Sequence, residues 1–93
     1  MNYRIKITPT ASYDLQQGID YYKSKQRGLG RSFSDKVNDT LGKIKATPLA
    51  ASIAYSDVRY KVIGNFPYVI LYKIEGDYIH ILRFFNTYQQ SGV

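Results

Sequence analysis

Cysteine and tryptophan are absent from this chain, histidine occurs once, and Asp and Glu together number only seven. Without cysteine there is no disulfide framework and no thiolate metal site, and one histidine with scattered carboxylates does not make a metal cluster. No metal and no cofactor are therefore expected. No stretch approaches the roughly 18 consecutive apolar residues of a membrane span. The N-terminal run MNYRIKITPTA alternates charged and apolar residues instead of forming the apolar block of a secretory signal, so a cytoplasmic location is expected. A phosphate loop is also missing: Gly28-Leu29-Gly30 precedes a helical pattern but lacks the following lysine and the preceding strand. That glycine pair suits a turn between two helices.

What is present is a single small domain, residues 1–93, with 44% hydrophobic residues and thirteen Lys+Arg, a formal charge of +6. Such a field favours anionic partners, either nucleic acid or an acidic protein segment, and does not choose between them. Ten tyrosines suit surfaces that are half apolar and half wet.

Tyr3-Arg4-Ile5-Lys6-Ile7 alternates and reads as a first strand, with Arg4 and Lys6 as solvent-facing edge charges. Thr8-Pro9 then opens a helix, the hydroxyl capping free N–H groups and the proline sitting where its missing donor costs nothing. Ala11, Leu15, Ile19 and Tyr22 recur at helical spacing, and Gly18 among them implies close packing against a neighbour. A second helix follows the glycine turn, with Phe33, Val37, Leu41 and Ile44 on one stripe, and stops near Thr47-Pro48. Two helices so closely joined form an antiparallel hairpin. Leu49 to Asp57 reads as a connector, and three strands follow at about 58–63, 67–74 and 78–86, the last two joined by the tight Glu75-Gly76-Asp77 turn. The expected fold is α+β: a helical hairpin on one face of a four-stranded, mostly antiparallel sheet in the order β-α-α-β-β-β. The last two strands are apolar on both sides, so the sheet face that the helices leave bare is expected to meet a partner.

Few residues here could carry chemistry. His80 lies within the last strand, and general acid–base work by imidazole needs an orienting or acidic partner, so a structural role is the stronger reading. Cations and tyrosines gather on the sheet: Arg59, Lys61, Lys73, Arg83, Tyr60, Tyr68, Tyr72 and Tyr88. Arg59 and Lys61 lie two apart and share a strand face. Arg59 and Arg83 sit among apolar strand residues, where a guanidinium needs a carboxylate or phosphate partner. Lys73 reads as a solvated charge that keeps the strand soluble. Phe66-Pro67-Tyr68 and Phe84-Phe85 read as core, or alternatively as an apolar groove for a partner helix or strand.

Several segments together resemble a known family. Asp14-Leu15 followed by Ile19-Asp20-Tyr21-Tyr22 is similar to the first helix of the RelE/ParE toxin superfamily of type II toxin–antitoxin systems, and Gly28-Leu29-Gly30-Arg31-Ser32-Phe33 resembles the opening of its second helix. Val58-Arg59, Phe66-Pro67-Tyr68, Ile70 to Asp77 and Ile79 resemble the strand segment typical of the ParE-like branch. The resemblance covers nearly the whole chain in the right order. It implies the same β-α-α-β-β-β fold and a growth-inhibiting toxin held by a cognate antitoxin encoded beside it, with oligomers formed only through that antitoxin. The target it implies is DNA gyrase for a ParE-like toxin, or mRNA in the ribosome for a RelE-like ribonuclease. The ribonuclease route would use Arg59, Lys61 and Arg83 for phosphate and Tyr88 for proton transfer. However, the arginine expected in the central strand is Val69, and the family's His-Thr-Arg-Arg ending stands as Asn86-Thr87-Tyr88-Gln89. The expectation is therefore a ParE-like binder of gyrase, with an inactive relative and a general nucleic-acid-binding module as other readings. Its partner-facing residues are expected to be Arg59, Lys61, Phe66, Tyr68, Tyr72, Arg83, Phe85 and Tyr88.

Overall fold

Thr8 shows how the chain turns from strand to helix. Its hydroxyl accepts a hydrogen bond from the Ala11 N–H at 3.1 Å, and Pro9 occupies the first helical position, where its missing N–H leaves nothing unsatisfied. The computed structural model describes residues 2–88. In chain order it contains β1 (Arg4–Ile7), α1 (Pro9–Lys25), α2 (Leu29–Ala46), β2 (Ile53–Tyr55), β3 (Val58–Ile63), β4 (Tyr68–Glu75) and β5 (Tyr78–Asn86). Gly28, at φ 81°, makes the reversal between the helices in a left-handed conformation that glycine adopts without strain.

The five strands form one sheet in the order β1-β5-β4-β3-β2. β1 runs parallel to β5, and every other pairing is antiparallel. The sheet thus has one strand more than expected. β2 escaped notice because it is three residues long, wholly exposed, and broken in register against β3. It carries neither the alternation nor the length by which strands are recognised.

The helices cover one face. Ala11, Phe33, Val37 and Ile44 meet Ile63, Tyr68, Ile70, Tyr72, Ile79, Ile81 and Phe84 in one buried cluster, flanked by half-buried Leu15, Ile19, Tyr22 and Leu41. Both expected helical stripes therefore face the core. Gly18 is the point of closest approach: a β-carbon there would lie 2.8 Å from Phe33 Cε2 and 3.2 Å from the Tyr68 hydroxyl.

A bulge divides β5 into two halves. Ile81 stands opposite Tyr72 and Arg83 opposite Leu71, so Leu82 is the extra residue. Such a bulge bends and twists its strand. The pairing with β1 ends at Ile81, and the C-terminal half of β5 continues past it. Thr8 secures this point, with its N–H on the Ile81 carbonyl at 3.1 Å and its hydroxyl on the Leu82 carbonyl at 3.3 Å. Among the described residues, no helix is long and apolar enough to cross a membrane.

Candidate functional site

On the flank of the buried α1 stripe, Tyr13, Gln17 and Tyr21 repeat at a spacing of four and so share one side of the helix. They face the half of β5 that has outrun β1, leaving a groove of about 1220 Å³. Its walls are α1, the first turns of α2 with Leu29, Ser32 and Lys36, the β3–β4 loop with Phe66 and Pro67, and β5 from Arg83 to Asn86.

Packed rings underlie it. Tyr22 and Phe33 lie 5.0 Å apart between centroids, Tyr22 and Phe66 4.9 Å, and Phe33 and Tyr68 4.9 Å, in tilted or edge-on arrangements favoured by ring quadrupoles. Burial is the main reason that the Tyr22 and Tyr68 phenols ionise above their ordinary range. For Tyr68 a hydrogen bond from the Asn86 side chain at 3.4 Å opposes that shift in part.

Asp14 fixes the groove's inner corner. Its carboxylate accepts from Arg83 Nε at 2.6 Å, from Arg83 Nη2 at 3.1 Å, and from the Phe84 N–H at 3.2 Å. This is a forked ion pair that also supplies an acceptor to a strand N–H beyond the end of β1. The Asp14 side chain is 12% exposed and that of Arg83 47%, so the acid is held by the fold and the guanidinium is half open to the groove.

Of the residues expected to face a partner, Phe66, Tyr68, Arg83, Phe85 and Tyr88 all line this groove, although Tyr68 exposes only 6% of its surface. Arg59, Lys61 and Tyr72 do not. Tyr72 is wholly buried, because it alternates onto the helix-covered face, and its hydroxyl donates to the Pro48 carbonyl at 2.6 Å. The expectation of a partner-facing Tyr72 is corrected accordingly. Arg59 reaches the carbonyls of Leu49 and Ala51 at 3.1 and 2.6 Å. Together Arg59 and Tyr72 pin the segment that leaves α2. Lys61 is half-buried on the same face of β3, opposite Ile70. The anion expected for Arg83 is Asp14 of the same chain, while Arg59 is met by neutral carbonyls.

His80 lies on the sheet face turned away from the helices, its Nε2 3.2 Å from a Glu75 carboxylate oxygen. The cations and Tyr88 proposed for phosphodiester chemistry are divided between the groove, with Arg83 and Tyr88, and β3, with Arg59 and Lys61. Gln89, part of the atypical ending, lies outside the described residues. Tyr13, Gln17, Tyr21 and Lys36 went unnoticed in the sequence, although the four-residue repeat of the first three was visible there.

Comparison with known proteins agrees with this architecture. No curated protein sequence is significantly similar to the chain. One solved structure, described as the chromosomal ParDE TA system from P. aeruginosa, superposes with a TM-score of 0.78 at 19% identity, covering 90% of this chain and 95% of that one. The family described as the ParE toxin of the type II toxin–antitoxin system parDE matches residues 5–90. The chain belongs to the ParE toxin family of type II toxin–antitoxin systems.

Proposed function

We propose that the chain inhibits growth by binding, with DNA gyrase as its target, and that a cognate antitoxin neutralises it by occupying the groove between α1 and β5. The observation that carries this reading is the groove itself. It is a long concave surface rich in tyrosine, with Lys36 and the half-open Arg83 within it. Tyrosine and arginine are the residues that anchor protein partners, offering large rigid area together with directed hydrogen bonds. An amphipathic partner segment would set apolar side chains on the rings and acidic ones on the cations. The net charge of +6 favours association with such a segment.

The placement of the other cations speaks for binding over ribonuclease action. Stabilising a phosphodiester transition state needs several cations converging on one point beside a proton donor and acceptor. Here Arg83, half open but already paired with Asp14, lines the groove, Arg59 is turned to main-chain carbonyls, and His80 lies on the opposite face of the sheet, so the three do not converge on one point.

Pulse labelling after induction without the antitoxin tests this reading. DNA synthesis is expected to fall first with translation spared. A prompt fall in translation would overturn gyrase in favour of the ribosome.

A further inference from the structure

The helices cover only one side of the sheet, and the other side has a composition that neither the groove nor the family assignment uses. Register places two rows of residues there. Arg4, Tyr78 and Glu75 stand side by side across β1, β5 and β4, and so do Lys6, His80 and Lys73. The neighbouring residues Ile5, Ile79 and Ile74, and Ile7, Ile81 and Tyr72, alternate to the covered face. The bare rows thus carry three permanent cations and one carboxylate, that of the exposed Glu75, which lies 4.0 Å from the Lys73 ammonium and 3.2 Å from His80 Nε2. The Lys6 ammonium lies 4.8 Å from the Tyr78 ring centroid, and the Tyr78 and His80 rings are 6.1 Å apart. Towards β3 the same face becomes apolar, with Leu71 beside Tyr60 and Val69 beside Val62; Tyr60 is 37% and Val62 60% exposed.

We propose that this bare sheet face, which runs into the groove only at its far end, where Arg83 stands beside Leu71 and Phe85 beside Val69, is a second binding surface, and that it takes single-stranded nucleic acid: phosphates on Arg4, Lys6 and Lys73, bases on Tyr60 and its apolar neighbours. Two features favour this occupant over an acidic peptide. The first is charge complementarity, since the cations form a compact block beside exposed apolar and ring surface, the combination that single strands use. The second is shape. Two common peptide modes add a strand to a sheet edge or lay a helix in a groove. β5 and β4, in the middle of the sheet, offer neither, because their main-chain groups are already paired within the ladder; strand addition is open only at the outer edges of the sheet, β1 and β2, and not across the face. Bases, being flat and carrying a π-face whatever their identity, stack on such a surface. Binding at this face does not require gyrase to be the target.

Fluorescence anisotropy with a short labelled oligothymidylate and the full chain tests it. Three phosphate contacts give a slope of log affinity against log salt of about −2, so raising salt from about 50 to about 200 mM weakens binding roughly twentyfold. The combined variant Arg4→Gln, Lys6→Gln, Lys73→Gln is expected to remove nearly all of that slope. The charge-matched combination Lys23→Gln, Arg27→Gln, Lys45→Gln, on the helices and the α1–α2 turn, is expected to retain most of it. Tyr60→Ala is expected to weaken binding about fivefold or more with the slope unchanged, as loss of one stacked base requires. Circular dichroism melts confirm that each variant is folded. Equal losses in the two charge variants, or no binding by the unaltered chain, would overturn the proposal. So would a polyglutamate peptide that binds this face as tightly as the oligonucleotide.

Discussion

Replacing Asp14 removes the acceptor that ties the middle of α1 to the far half of β5. The cost can be worked from its three hydrogen bonds. Two go to Arg83, whose side chain is 47% exposed, so solvent screening limits the ion pair to about 1 kcal/mol. The third, from the Phe84 N–H, is partly buried; without an acceptor that donor costs about 1–2 kcal/mol. Asp14→Ala is therefore expected to destabilise the fold by about 2–3 kcal/mol, a substantial share of the roughly 5–15 kcal/mol typical of a domain. In thermal terms that is a fall in Tm of roughly 10–20 °C. Asp14→Asn keeps an oxygen for the Phe84 N–H while losing the charge, and is expected to cost about 1 kcal/mol. Urea unfolding followed by circular dichroism measures both variants. A double-mutant cycle with Arg83→Ala isolates the ion pair, which should couple by about 1 kcal/mol and weaken with added salt. A loss below about 0.5 kcal/mol for Asp14→Ala would refute the reasoning, and so would a cycle with no coupling.

Gly18→Ala places a β-carbon 2.8 Å from Phe33 Cε2, so overpacking of about 1–3 kcal/mol is expected to outweigh the gain of about 1 kcal/mol in helix propensity. Gly42→Ala, on α2 with open space around it, is expected to stabilise by about 0.5–1 kcal/mol; comparing the two urea midpoints separates packing from propensity. Tyr72→Phe leaves the Pro48 carbonyl without its 2.6 Å donor, for an expected loss of about 1–3 kcal/mol in the same assay. Burial raises the phenol pKa of Tyr22, Tyr68 and Tyr72 above the ordinary value of 10.0, so the fold favours their neutral forms. Their contribution to stability is then complete below about pH 10 and is lost as pH rises through the raised values, which phenolate absorbance and unfolding free energy measured side by side should show.

The parts of this fold that could be read from sequence are those governed by periodicity and local chemistry. Thr8-Pro9 marked the start of α1, the glycine turn marked the hairpin, and four-residue spacings marked both buried stripes. β2 could not be read, because three exposed residues gain their strand geometry from β3 and not from a pattern of their own. The site was less legible for a related reason. The need of Arg83 for an anion was evident from its apolar surroundings, but the anion lies 69 positions earlier on α1, and only the three-dimensional fold joins them. The sequence points Tyr72 and Arg59 towards a partner, Arg59 because a guanidinium among apolar strand residues needs an anion. Strand alternation put both on the covered face, where the segment after α2 needed donors for its carbonyls. Phe66, Arg83, Phe85 and Tyr88 belong to separate segments of the sequence, and the β5 bulge, carrying the strand past β1, brings them to one groove with α1.

The most direct test of a gyrase-binding toxin uses purified components: this chain, DNA gyrase, and ribosomes programmed with mRNA. The free chain is expected to inhibit gyrase supercoiling, to leave ribosome-bound mRNA intact, and to lose its inhibition when the antitoxin fills the groove. Cleavage of ribosome-bound mRNA with supercoiling unaffected would contradict that mode of action.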